Sequence, residues 1–164
     1  MWEKERGYIL SIDPASLKCG ASLRHNGQLI GWAKIDGGKK STPMSEKMRR
    51  QAAQIDLFLN EHIPEGEFVH TVVFELTDNM VLNVSMGPWF SAAQVRVPII
   101  KKTHYIRPSV WKKWAQAQGA EPPSARIKGL KALREIGWDF NTYPIDCDDV
   151  ADSVLIYMAW AARG

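Results

Sequence analysis

The 164-residue sequence predicts a mixed α/β fold, a sheet covered by helices, and three observations carry that expectation. The first 35 residues alternate like strands around an Asn-Gly pair. Apolar residues then recur at helical spacing from about residue 44. Beyond that, short apolar runs of strand type alternate with helical segments. The length admits a sizeable core but not two of them, so a single domain spanning 1–164 is expected.

Each element follows from local chemistry. Tyr8-Ile9-Leu10-Ser11-Ile12-Asp13 alternates as a strand and stops at Pro14. Residues 20–25 and 29–35 flank Asn26-Gly27, whose tolerance of positive φ suits a type I′ hairpin turn. These segments make a three-stranded meander. Thr42 is expected to cap a helix with Pro43 at its first position, and Met44, Met48, Ala52, Ile55, Leu59 and Ile63 to form its inward stripe. Pro64-Glu65-Gly66 ends it, and Thr71-Val72-Val73-Phe74-Glu75-Leu76 reads as a buried strand holding one carboxylate. A loop over 78–87, a helix over 88–95 and a strand over 104–107 follow. Residues 109–118 read as a helix, and Ser124 caps another that stops at Gly137. The last helix begins near Asp148, with Val150, Val154, Tyr157, Met158 and Ala161 as its core stripe.

Charge is segregated along the chain. Residues 101–134 carry nine basic side chains and only Glu121, whereas residues 135–164 carry six acidic ones against Arg163. A dense basic block suggests a polyanion, and an acidic cluster beside it would repel that polyanion unless a cation lay between them; on charge alone, two solvated helix faces are the equal alternative. No apolar stretch reaches the roughly 20 residues of a membrane span, and the charged start is unlike a signal peptide, so a soluble protein of a reducing compartment is expected. Cys19 and Cys147 fit no disulfide or zinc spacing and read as buried small residues. His25, His62, His70 and His104 are scattered, and read as surface or structural. No GxSxG, HExxH or phosphate-loop motif occurs, and Gly37-Gly38-Lys39-Lys40 reads as a flexible basic loop.

Two carboxylates stand in apolar company. Asp13 ends the first strand, and Glu75 follows Val72-Val73-Phe74. A carboxylate leaving water costs several kcal/mol unless it is paired or metal-bound, so this pattern calls for a cation. Asp149 and Asp152, three residues apart in the first turn of the final helix, share a face that the helix dipole favours for negative charge. Four such carboxylates suit hard divalent cations, with magnesium the natural occupant and manganese a substitute. Two ions per site can drive phosphodiester hydrolysis without a side-chain nucleophile.

The order Ile9-Leu10-Ser11-Ile12-Asp13-Pro14-Ala15-Ser16, Val73-Phe74-Glu75 and Asp149-Val150-Ala151-Asp152 resembles the RuvC-type Holliday junction resolvases of the ribonuclease H-like superfamily. Arg107-Pro108-Ser109-Val110-Trp111-Lys112-Lys113 is similar to that family's Pro-Ser-x-x-Lys segment, and Ser124-Ala125-Arg126 falls where it carries another basic residue. The resemblance covers nearly the whole chain. It implies a ribonuclease H-like mixed five-stranded sheet, with an antiparallel three-stranded meander plus parallel strands, flanked by helices. It also implies Asp13, Glu75, Asp149 and Asp152 as metal-binding catalytic carboxylates. Lys112 and Arg126 are implied backbone-phosphate contacts, and Lys113, Lys128 and Lys131 of the same basic block join them. Three departures stand out. Asp78 occupies the place of an aromatic that probes the junction centre, leaving Trp89 or Phe90 as substitutes; Ala15 replaces a glycine; and Asp146 and Asp148 enrich the last motif. Asp149 is preferred as third ligand because it lies three residues before Asp152. The departures look like those of a phage or divergent member.

The expected activity is a Mg2+-dependent endodeoxyribonuclease that resolves four-way and related branched DNA junctions by paired hydrolysis in recombination and repair. Its expected partners are branched DNA and a second copy in a homodimer, with no membrane and no organic cofactor, in the cytoplasm of a bacterial or phage-infected cell. Trp89 and Trp111 are candidates for the dimer interface or for stacking on unpaired bases, with packing as the plain alternative. The alternative readings are another ribonuclease H-like nuclease acting on RNA–DNA hybrid or flaps, and a non-catalytic branched-DNA-binding protein.

Overall fold

Five strands in the order β3-β2-β1-β4-β5 form one mixed sheet in the computed structural model, which describes residues 6–14, 17–75, 103–117 and 148–163. Strands β1 (Tyr8–Asp13), β2 (Lys18–His25) and β3 (Gln28–Asp36) make the antiparallel meander. Helix α1 (Met44–His62) leads to β4 (Val69–Glu75), which pairs parallel to β1, and β5 (Thr103–Ile106) extends the sheet parallel to β4. Helices α2 (Pro108–Ala117) and α3 (Asp148–Ala162) complete the described residues. The mixed five-stranded sheet expected from the sequence is therefore present. The expected helices over 88–95 and 124–136 lie outside the described residues.

The β2–β3 turn forms for the anticipated reason. Asn26 and Gly27 take φ of 49° and 85°, the paired positive values of a type I′ turn. The Asn26 side-chain oxygen also accepts the Gly7 N–H at 3.0 Å.

Side chains of β1 alternate between two cores. Tyr8, Leu10 and Ile12 pack with Ile55, Phe58 and Leu59 of α1. Ile9 packs on the other face with Trp111 of α2 and with Val150, Val154 and Tyr157 of α3.

Two helices depart from their expected faces. In α1 the buried residues are Lys47, Gln51, Ile55, Phe58 and Leu59, a stripe rotated by one position in its first half from Met44, Met48 and Ala52. Lys47 is accommodated because its stem is apolar and its Nζ donates to the Lys40 carbonyl at 3.2 Å. Thr42 does not cap the helix. Its hydroxyl accepts the Lys39 N–H at 3.0 Å, and Pro43 takes the cap position. Helix α3 is buried almost all round from Val150 to Trp160 rather than along one stripe, because β1 and β2 cover one side and α2 the other.

The minor expectations fall out simply. Cys19 is fully buried and unbridged, while Cys147 lies outside the described residues. His25 stacks on Tyr8 at 4.2 Å, the ring of His62 meets the Phe58 carbonyl at 2.9 Å, and His104 packs on Trp160, all structural roles. Among the described residues no helix is long and apolar enough to cross a membrane.

Candidate active site

The sheet register brings two of the expected carboxylates side by side. In the parallel β1–β4 pair Ile12 lies opposite Phe74, so Asp13 and Glu75 are the next residues at the carboxyl ends of neighbouring strands. Beyond the register shift after Tyr8, odd-numbered residues of both strands face α3: Ile9 and Val73 belong to the core beneath it, and the hydroxyl of Ser11 donates to the Ser153 carbonyl at 2.7 Å. Asp13 and Glu75 continue that alternation, so both stand on the α3 face, half-buried. In parallel sheets the carboxyl edge is where ligands bind.

Helix α3 delivers the other two. Asp13 pairs with Gly20 of β2, and the backbone of Asp149 lies directly over Gly20. A Cβ at Gly20 would collide with the Asp149 carbonyl, so glycine is what lets the start of α3 settle beside Asp13. The Ser11–Ser153 hydrogen bond, fully buried, fixes the helix along β1. Asp149 is half-buried, and Asp152, one turn on, is only 6% exposed. The amino end of α3, with its positive end of the helix dipole, thus sits at the same sheet edge as Asp13 and Glu75.

All four expected carboxylates therefore lie at one edge, on one face. Among the described residues no three His, Cys, Asp or Glu side chains gather into a group able to grip one ion. What converges is the placement of the residues, not a closed cage. The chemistry of the donors still fits hard divalent cations, which take oxygen ligands and balance carboxylates that burial would otherwise penalise.

Of the three roles open to Trp111 in the sequence, packing is the one it takes, and it adds a contact with the site that the sequence does not show. The indole N–H of Trp111 donates to Glu75 Oε2 at 2.7 Å. Trp111 is 2% exposed, so it is a packed anchor rather than a surface for base stacking or dimerisation. Its position follows from the chain path: β5 ends at Ile106, opposite Glu75, and Pro108 opens α2, whose first turn carries Trp111 back over β4. The clue in the sequence is a tryptophan on the first turn of a helix that directly follows the strand next to Glu75.

The same turn carries the expected phosphate contacts. Lys112 is half-buried with its Nζ 5.5 Å from the Trp111 ring centre, within cation–π range, and Lys113 is exposed. Arg126, Lys128 and Lys131 lie outside the described residues, as do Asp78, Trp89, Phe90 and Asp146, and nothing is described of the Asp148 side chain.

No protein-family model matches the chain, and no curated protein matches its sequence. Among solved structures, RuvC of Thermus thermophilus is similar over 94% of this chain and 93% of its own, at a TM-score of 0.64 and 15% identity. The T. thermophilus RuvC structure in complex with a Holliday junction substrate is similar over 95% and 93%, at a TM-score of 0.60 and 19% identity. The yeast mitochondrial Holliday junction resolvase Ydc2 is similar over 93% of this chain and 78% of its own, at 0.54 and 19%. At such identities the likeness is one of architecture: the chain carries the ribonuclease H-like fold of the RuvC-type Holliday junction resolvases.

Proposed function

We propose that this chain is a metal-dependent, structure-selective endonuclease that resolves four-way and related branched DNA junctions by paired phosphodiester hydrolysis. In this reading residues 1–164 form one nuclease domain acting as a homodimer on DNA in the cytoplasm. The observation that supports it best is that Asp13 and Glu75 follow the last register pair, Ile12 and Phe74, at the carboxyl ends of adjacent parallel strands, under a helix whose first turns carry Asp149 and Asp152.

Asp13, Glu75, Asp149 and Asp152 would hold two Mg2+ ions, with Mn2+ able to substitute. The chemistry such ions supply when bound is activation of water and neutralisation of charge developing on the phosphate. The chain's own residues do the rest. Trp111 holds Glu75 in one rotamer through its indole N–H, so that this carboxylate needs no rearrangement to serve as a ligand. Lys112 and Lys113, on the turn that carries Trp111, offer positive charge to the DNA backbone beside the carboxylates. Arg126 and Lys128 are proposed to do the same. Paired incision needs two sites related by a twofold axis, which is the reason for proposing the dimer.

The test is a cleavage assay with Mg2+ or Mn2+, offering a labelled four-way junction, a fork, linear duplex and an RNA–DNA hybrid side by side. Paired symmetric nicks confined to the junction, and lost on chelation, are the expected result. Cutting mainly of the hybrid or fork would overturn the substrate, and cutting in chelator would overturn the metal dependence.

Trp111→Phe isolates the indole N–H. It keeps most of the apolar packing and removes the hydrogen bond to Glu75, a bond to a charged group worth roughly 1.5–3 kcal/mol. Junction cleavage is expected to fall about 10- to 100-fold, as for other losses of a ligand-orienting partner. The deficit should shrink as Mg2+ is raised if the variant binds metal more weakly. Unchanged activity at low Mg2+ in folded protein would remove Trp111 from the site.

A further inference from the structure

The run Gly37-Gly38-Lys39-Lys40 takes no part in the site above, and its sequence reads as a flexible loop. In the structure it is a built corner. The Gly37 N–H donates to the Leu17 carbonyl at 2.6 Å, tying the loop to the connection that follows Asp13. The Gly38 N–H donates to Asp36 Oδ1 at 2.7 Å, and Lys39 and Thr42 exchange two further bonds at 3.0 Å. Gly38 takes φ of +112°, and a Cβ there would stand 2.8 Å from the Thr42 hydroxyl, so glycine is required. From α1, Gln54 accepts the Asp36 N–H at 2.9 Å and donates to the Asp36 and Arg50 carbonyls at 2.6 and 3.1 Å. This frame presents Lys39, Arg49 and Arg50 around an open cleft of about 660 Å3.

Its location gives the corner a meaning. Asp36 pairs with Lys18, and Asp13 with Gly20, so the end of β3 lies two strands from Asp13 at the same edge, about 10 Å away laterally. Lys34 pairs with Gly20, the residue under Asp149, which places Lys34 on the carboxylate face, and Lys18 leads from there to the edge. Lys18, Lys34, Lys39, Arg49 and Arg50 are all exposed. Among the described residues Asp36 and Glu46 accompany them. Asp36 is engaged by Gly38, and Glu46 bridges Arg50 at 3.1 Å and Arg49 at 3.8 Å, exposed pairs that leave the positive excess intact. On the carboxylate face Lys18 and Lys34 thus add positive charge beyond β2, as α2 does beyond β4, and the corner, with Arg49 and Arg50 on α1, continues that charge round the edge towards the opposite face.

We propose that the corner formed by Lys39, Arg49 and Arg50, with Lys18 and Lys34 leading to it, is a second phosphate-binding surface. It holds the sugar–phosphate backbone of a DNA arm leaving the catalytic edge on the side away from α2. The inference rests on the junction-resolving reading, and it deepens that reading by giving the substrate a path across the sheet. The ligand is the phosphodiester backbone itself, so the contact is independent of base sequence.

The test measures binding of a four-way junction against KCl concentration, in chelator to prevent cleavage. It compares the intact chain, the double variant Lys39→Ala with Arg49→Ala, and Arg163→Ala at the far end of α3 as control. All three substituted side chains are exposed, so melting curves should coincide. Each lost phosphate contact lowers the slope of log K against log salt by about 0.9. The double variant is therefore expected to bind more weakly, with a slope reduced by about 1.8, while Arg163→Ala matches the intact chain. An intact chain that binds junctions, with a double variant of unchanged slope, overturns the corner alone. An intact chain that binds no branched DNA overturns the parent reading, and the corner with it.

Discussion

Asp152→Asn is expected to abolish junction cleavage while leaving junction binding intact or stronger. The substitution is isosteric and removes one negative charge from a side chain that is 6% exposed. The side chain keeps its shape and volume, so the melting temperature in chelator should stay close to that of the intact chain. As a metal ligand, however, an amide oxygen lacks the charge that hard cations demand. Loss of a residue that merely orients a ligand typically costs 10- to 100-fold, so loss of a ligand should cost at least about 100-fold in cleavage. Binding should persist because the carboxylate repels the DNA backbone rather than attracting it. Gel-shift titration, cleavage rates in Mg2+ and a thermal melt on one preparation separate these effects. Wild-type cleavage rates in the variant would exclude Asp152 from the chemistry.

Gly20→Ala should have the largest effect on the fold. The added methyl would collide with the Asp149 carbonyl, a backbone atom that no rotamer change can move aside. Overpacking of this kind costs typically about 1–3 kcal/mol and more where backbone is the obstacle. For a chain of this length each kcal/mol lowers the melting temperature by about 2–4 °C, so a drop of about 2–12 °C is expected. Cleavage should fall further than stability does. The start of α3 must lift from β2, which displaces Asp149 and Asp152 relative to Asp13 and Glu75, and a 1 Å misplacement can cost about 100-fold. A variant that melts and cleaves like the intact chain would show that α3 is not seated through this contact.

Much of this fold was legible locally. The meander follows from alternation and from Asn26-Gly27, whose backbone takes the positive φ values that the pair favours. β1 begins and ends at the expected residues, because Pro14 stops it and the charged start precedes it. The candidate carboxylates were legible for a different reason. A charge ending an apolar strand contradicts its surroundings, and Asp13 and Glu75 both do so. The expected stripe of α1 differs in its first turns because Lys47 buries its apolar stem and Gln51 its whole side chain, and a hydrophobicity pattern counts both as polar.

Chain order alone does not say which strands are neighbours. Nothing in the local sequence requires β4 to pair with β1 rather than β3, yet that choice sets Asp13 beside Glu75. Nor does the local sequence show that Trp111 reaches Glu75, 36 residues earlier, or that Gly37 bonds back to Leu17 and ties a basic loop into a hydrogen-bonded corner. Residue type, alternation and turn chemistry act over a few neighbouring positions, so the sequence by itself determined the elements and the candidate ligands. The site's geometry arises from contacts between residues far apart in the chain, whose cost is the entropy of closing long loops and whose return comes only when both cores pack around the sheet.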